Sequence, residues 1–217
     1  MFELVWFILS IPVMILSSTV HEYFHAWSAQ KLGDDTAAAE GRLSLNPLLH
    51  IDLIGLISMF IVRVGWSKPV PVNTYNFRKP ARDHALVSLA GPLSNFVIFL
   101  VATLLLKGLY SIASAGFVGT VAINLLYSVL FVIIYINLSL ALFNLLPIPP
   151  LDGFHIVSGL LPKNLRYYWD MLDQYGLYIF IGLFYILNRS GLFGIFFSGY
   201  LKEVLRYIFK IVGIPFG

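Results

Sequence analysis

A chain of 217 residues, 59% of them hydrophobic and 12% charged, with a mean hydropathy of +0.83, carries more apolar surface than one soluble globule can bury. Its net charge of +3 comes from 14 Lys and Arg in the gaps between apolar runs, a placement that membrane orientation explains better than a nucleic-acid partner. With no cysteine, disulfides, thiolate ligands and cysteine nucleophiles are excluded together, and any metal must be held by His, Asp or Glu.

About 20 apolar residues cross a bilayer. The first such run extends from about Phe2 to Gln30; it lacks a basic leader and runs into the polar cluster at His21, so it reads as a retained span rather than a signal peptide. From Leu32 to Asn76, repeated Gly and Pro, with Val70, Val72 and Tyr75 alternating, predict turns and short extended pieces. Within this stretch Ile51 to Val64 is apolar but only 14 residues long, as in a re-entrant or edge-of-membrane element. Further spans are expected at His84 to Leu106, Val118 to Leu146, Trp169 to Leu187 and Gly191 to Val212. The last carries Lys202, Arg206 and Lys210 on one helical face, which predicts an interfacial end.

The predicted fold is an all-α polytopic membrane protein with about five transmembrane helices and a re-entrant, partly extended region between the first two. It forms a single domain over 1–217, with a core at 1–155 and C-terminal helices at 156–217. Parity sets the topology. If the first helix ends in the cytoplasm and the basic stretch Arg78, Lys79 and Arg82 is also cytoplasmic, residues 51–64 do not cross. Nine basic residues (Lys31, Arg42, Arg63, Lys68, Arg78, Lys79, Arg82, Lys163, Arg166) then face the cytoplasm between spans, against Lys107 and Arg189 outside.

The chemistry begins at His21-Glu22-Tyr23-Phe24-His25. A spacing of four puts both imidazoles on one helical face, one turn apart, where they can chelate zinc, and Glu22 beside the first can reach a zinc-bound water. Ionisable groups on an apolar helix are expensive in a membrane and are functional by default, unless the helix ends there in an interface. Two histidines leave a catalytic zinc one protein ligand short. The best third candidate is Asp152, which follows the helix-breaking run Pro147-Ile148-Pro149-Pro150-Leu151; the alternative is that Asp152 caps the next helix. In Gly91-Pro92-Leu93-Ser94-Asn95 the small residue allows close approach, and the Asn95 amide binds either a peptide carbonyl or oxyanion, or a neighbouring helix. His50 and His84 sit at segment edges and read as interfacial. His155, three residues after Asp152, is a second-sphere partner, an alternative ligand or simply hydrogen-bonded.

These motifs, with Asn144-Leu145-Leu146 before the proline run and Gly153 after Asp152, resemble those of the site-2 protease family of intramembrane zinc metalloproteases. Asn46-Pro47-Leu48-Leu49-His50-Ile51-Asp52 and Gly65-Trp66-Ser67-Lys68-Pro69-Val70-Pro71-Val72-Asn73 resemble its short prokaryotic members, which lack a PDZ or other accessory domain. The resemblance implies one zinc per chain held by His21, His25 and Asp152, Glu22 as general base, and Asn95 near the scissile peptide. It further implies transmembrane protein substrates in a lipid bilayer, no nucleic acid, and a site toward the cytosolic side of a prokaryotic cell membrane. A membrane metal transporter or sensor, or an inactive helix-binding homologue, shares the ligands; an acid at the position of Glu22 distinguishes a protease. A substrate helix hides its carbonyls, so cleavage requires a locally extended stretch, which can add as a strand to Val70 to Asn73.

Overall fold

The computed structural model describes residues 2–62, 65–114, 120–191, 194 and 199–214. Its α-helices are α1 (Phe2–Lys31), α2 (Thr36–Ala39), α3 (Leu53–Val62), α4 (Pro80–Ser114), α5 (Thr120–Asn144), α6 (Asp152–Leu160), α7 (Lys163–Asp170), α8 (Gly176–Arg189) and α9 (Tyr200–Val212). Three of them, α1, α4 and α5, are long and apolar enough to cross a bilayer.

The pattern on α4 explains why it belongs in lipid. Its buried stripe carries Ser88, Ser94, Asn95 and Thr103 along with Gly91, Phe99 and Ala102, while Leu89, Leu93, Phe96, Leu100 and Leu104 face outward. Polar groups inside and apolar ones outside invert the soluble arrangement; in hydrocarbon the polar groups must find partners within the protein. Helix α4 is the hub, packing against α1, α5 and α6. The largest apolar core joins Phe99, Ala102 and Leu106 of α4 to Leu130, Ile134 and Leu138 of α5 and to Leu201, Leu205 and Phe209 of α9.

The five expected spans reduce to three helices of crossing length among the described residues. The run at Trp169 to Leu187 is broken: α7 ends at Asp170, a 3₁₀ turn occupies Asp173–Tyr175, and α8 has 14 residues, or about 21 Å against the ~30 Å of a bilayer core. The run at Gly191 to Val212 lies partly outside the described residues; within it α9 has 13 residues, burying Leu201, Leu205 and Phe209 and exposing Lys202, Arg206 and Lys210 on the opposite face.

Between α1 and α4 the chain doubles back on itself, and the extended content expected there shrinks to a single bridge. Helix α3 has 10 residues, about 15 Å, too few to cross. Trp66 returns against Gly55, Gly65 lies against Met59, and Ile51 pairs with Ser67 in an isolated antiparallel bridge, so the two ends of this excursion lie side by side. No β-strand forms among the described residues, because the side chains of this lobe take up backbone groups that a ladder would need. Arg42 donates to the carbonyls of Lys68 and Pro69 at 2.8 and 3.2 Å, and fully buried Asp34 accepts from Asn73 N–H, Thr36 N–H and hydroxyl, and the Asn76 amide. Burial pushes the Asp34 carboxyl up, but the hydrogen bonds from Thr36, Asn76 and Asn73 outweigh it and hold its pKa below the ordinary carboxylate value. The lobe is seated on the end of α1 through Ala26 with Ala37 and Val70, and Ala29 with Phe77.

Candidate metal centre

His21 and His25 stand one turn apart on α1, with their Nε2 atoms 2.9 Å from each other. Asp152 enters from the first turn of α6, placing Oδ2 3.1 Å from His21 Nε2 and Oδ1 3.3 Å from His25 Nε2. The turn before α6 is tight enough that a Cβ on Gly153 would lie 2.3 Å from the Leu145 carbonyl oxygen, so only glycine lets the chain reach α6 here. Leu151, not Asp152, holds the N-cap position and no side chain caps α6, so the carboxylate is turned to the histidines.

The far side of each ring settles what the near side offers. His21 Nδ1 lies 2.6 Å from Asn95 Oδ1 and His25 Nδ1 lies 2.7 Å from the Val87 carbonyl. Both partners are acceptors, so each Nδ1 carries the hydrogen and each Nε2 presents a lone pair. Two lone pairs and a carboxylate therefore face one point, and Asp152 Oδ2 is buried without a hydrogen-bond donor. Such a cluster is repulsive alone and is satisfied by a cation. Two imidazole nitrogens and a carboxylate oxygen, all within 4.8 Å of one another, are the donor set of a catalytic zinc site with an open fourth position. Gly91 of α4 keeps the space clear: a Cβ there would lie 2.4 Å from His25 Nε2 and 2.6 Å from His21 Nε2.

Glu22, next to the first histidine, is buried, and the lobe holds both of its oxygens: Oε1 accepts from the Ser67 hydroxyl at 2.8 Å and Oε2 from the Val70 N–H at 2.9 Å. Asn95 is fully buried; besides accepting from His21, its amide nitrogen donates to Ser17 O at 3.2 Å and Asn137 Oδ1 at 3.0 Å. Of the other histidines, His155 lies beside His84, the rings tilted with centroids 4.5 Å apart, and is not among the converging donors. His50, expected at an interface, is buried with Nε2 2.8 Å from Ser44 O. Sequence reasoning did not single out Ser17, Asn137, Val87 or Asp34. An amide at mid-span, as at Asn137, was the available signal; a backbone carbonyl such as that of Val87 carries none.

The sequence profile of Peptidase family M50 matches residues 105–186, a stretch that includes Asp152. "Putative zinc metalloprotease YwhC" of Bacillus subtilis is 40% identical over 172 residues, covering 79% of this chain and 77% of that protein. The chain belongs to peptidase family M50. "Putative zinc metalloprotease Rip2" of Mycobacterium tuberculosis (strain H37Rv) is 31% identical over 197 residues, 86% of this chain and 70% of its own length. "Putative zinc metalloprotease MJ0611" of Methanocaldococcus jannaschii is 30% identical over 163 residues, 72% and 73% respectively. No solved structure matches. As a member of M50 the protein is a zinc metalloprotease of the site-2 type, its helices are those of a membrane protein, and the donor set fits the metal of its family.

Proposed function

We propose that this M50 protease hydrolyses peptide bonds within or beside the transmembrane segments of membrane-protein substrates, from a site on the cytosolic side of a prokaryotic cell membrane. The observation that carries the reading is placement. His21, Glu22 and His25 are buried on one helix of crossing length and covered by Gly91 and Asn95 of another, so a substrate that reaches them comes by way of the bilayer. The bias of basic residues around the lobe, and the side-by-side ends of the 51–67 excursion, support the cytosolic side. The three helices of crossing length, α1, α4 and α5, support a multi-pass reading. The partners are substrate helices and lipid, and no nucleic acid.

In this reading His21, His25 and Asp152 hold the zinc. Zinc bound there supplies Lewis acidity, lowering the pKa of water toward about 7 and polarising the scissile carbonyl. Glu22 takes the proton of the attacking water and passes it to the leaving amine, and Ser67 and the Val70 N–H fix its carboxylate for that exchange. Asn95 acts through His21, and its buried amide supports a positioning role. A substrate strand laid along Val70 to Asn73 meets limited hydrogen bonding, since the N–H groups of Val70 and Asn73 point to Glu22 and Asp34 and Pro71 has none.

Glu22→Gln tests the reading, because it keeps size and removes the base. Purified protein should retain zinc and lose turnover of labelled single-span substrates by about 10²- to 10⁴-fold, with chelator abolishing the parental activity. Parental cleavage by the variant, or zinc flux across vesicles that is indifferent to Glu22 and lost with His21, would replace protease by transporter.

A further inference from the structure

A buried polar chain ties two motif residues, His21 and Asn95, to Asn137 and Ser17, which lie outside every motif. It runs from the Ile133 carbonyl through Asn137 and Asn95 to His21, with Ser17 beside it. Asn137 and Asn95 are fully buried, and Ser17 and His21 are nearly so. Asn137 Nδ2 donates to the Ile133 carbonyl and to Ser17 Oγ, each at 2.9 Å, which leaves Asn137 Oδ1 to accept from Asn95 Nδ2 at 3.0 Å. Asn95 Nδ2 also donates to the Ser17 carbonyl, so Asn95 Oδ1 is left for His21 Nδ1.

Direction is what makes this chain informative. An asparagine amide can be turned end for end, and only its partners decide which end is which. A backbone carbonyl accepts and never donates, so the carbonyls of Ile133 and Ser17 fix both amides from outside. Turning Asn137 over would set its oxygen against the Ile133 carbonyl and its NH₂ against that of Asn95. With Asn137 in place, Asn95 cannot turn either, and Nδ1 of His21 has to carry the hydrogen.

We infer that Asn137, with Ser17, is a positioning residue of the metal site: it locks Asn95 so that His21 is held in the tautomer whose Nε2 is free to bind zinc. The inference rests on His21 being a ligand and adds a device for keeping it one. Without Asn137 the Asn95 amide keeps one fixed carbonyl instead of two, and a turned amide would press an N–H donor on His21 Nδ1, moving the ring hydrogen to the atom that should face the metal. Partners of a ligating histidine commonly contribute 10- to 100-fold in metal affinity.

The test uses the full-length protein in detergent and reads zinc rather than turnover. Asn137→Leu, close to asparagine in shape, should lower zinc affinity by about 10- to 100-fold in chelator competition, with helix content unchanged. In the metal-free protein, ¹⁵N ring shifts of His21 should report a single Nδ1–H tautomer in the parent and a mixture in the variant. Ser17→Ala, which removes one hydroxyl and leaves packing intact, should weaken zinc in the same direction by less and keeps the inference testable if Asn137→Leu misfolds. Because Ser17 Oγ acts through Asn137, the double variant should match Asn137→Leu alone. Parental affinity with an unchanged tautomer in either single variant, or additive losses in the double variant, would overturn the relay. His21→Ala separates the two levels. Zinc retained there removes His21 as ligand and the relay with it; zinc lost there but kept in Asn137→Leu removes the relay alone.

Discussion

Replacing Gly91 by alanine adds one methyl group at the point where α4 crosses the histidine pair. The new Cβ would lie 2.4 Å from His25 Nε2 and 2.6 Å from both Nε2 and Cε1 of His21, roughly 1 Å inside ordinary contact. Neither ring can yield freely, since His21 is tied to Asn95 and His25 to the Val87 carbonyl on the same helix that brings the methyl. Moving either ring by that distance exceeds the ~0.2 Å within which metal–ligand distances are held. Parting α1 from α4 instead is overpacking, at about 1–3 kcal/mol, equivalent to roughly 5- to 150-fold in a binding constant. Zinc affinity by chelator competition should fall at least that far and turnover with it, while thermal unfolding in detergent shifts only modestly. A Gly91→Ala protein with parental zinc affinity and turnover would mean that the metal does not lie where the three donors converge.

Other outcomes follow from the same geometry. Parental protein should contain about one zinc by metal analysis, and Asp152→Ala should lose both metal and cleavage; an active, zinc-loaded variant would remove Asp152 from the site. The Asp34 carboxyl has a lowered pKa in the fold, so its contribution to stability is present above the unfolded value of about 3.9 and is lost as pH falls through the folded value. The melting difference between parent and Asp34→Asn should therefore be full above about pH 5 and shrink in acid, and a constant difference would show that the charge is irrelevant. Asp35→Cys and Arg78→Cys, at exposed positions in a chain with no other cysteine, should be labelled from the same side by an impermeant reagent; opposite sides would mean that the 51–67 excursion crosses.

What was legible in the sequence follows from what leaves a periodic or compositional mark. His21 and His25 declare their shared face by spacing, the three long helices by length, and the break before Asp152 by its prolines. The direction in which a side chain is turned leaves no such mark. Asn95 reads as a polar group at membrane depth whether it meets substrate or a neighbouring helix, and the structure turns it to His21, Ser17 and Asn137. Composition also does not show where an apolar run is broken: near Trp169, Asp170, Asp173 and Gln174 interrupt it and the chain folds into shorter helices. Alternation at Val70 to Tyr75 is real, yet Asp34, Arg42 and Glu22 engage the backbone there from the side, which no strand periodicity anticipates.

The grip of Ser67 and Val70 on Glu22 divides the chemistry between two parts of the molecule. The three groups that converge as metal donors are aligned by the long helices and the turn into α6, but the carboxylate proposed as the base is aligned by the lobe seated on the end of α1. The two can therefore fail independently: damage to the bundle leaves an empty protein, whereas damage to the lobe leaves a loaded one that idles. Metal content and turnover are separate quantities here, and an inactive variant is not interpreted until both have been measured.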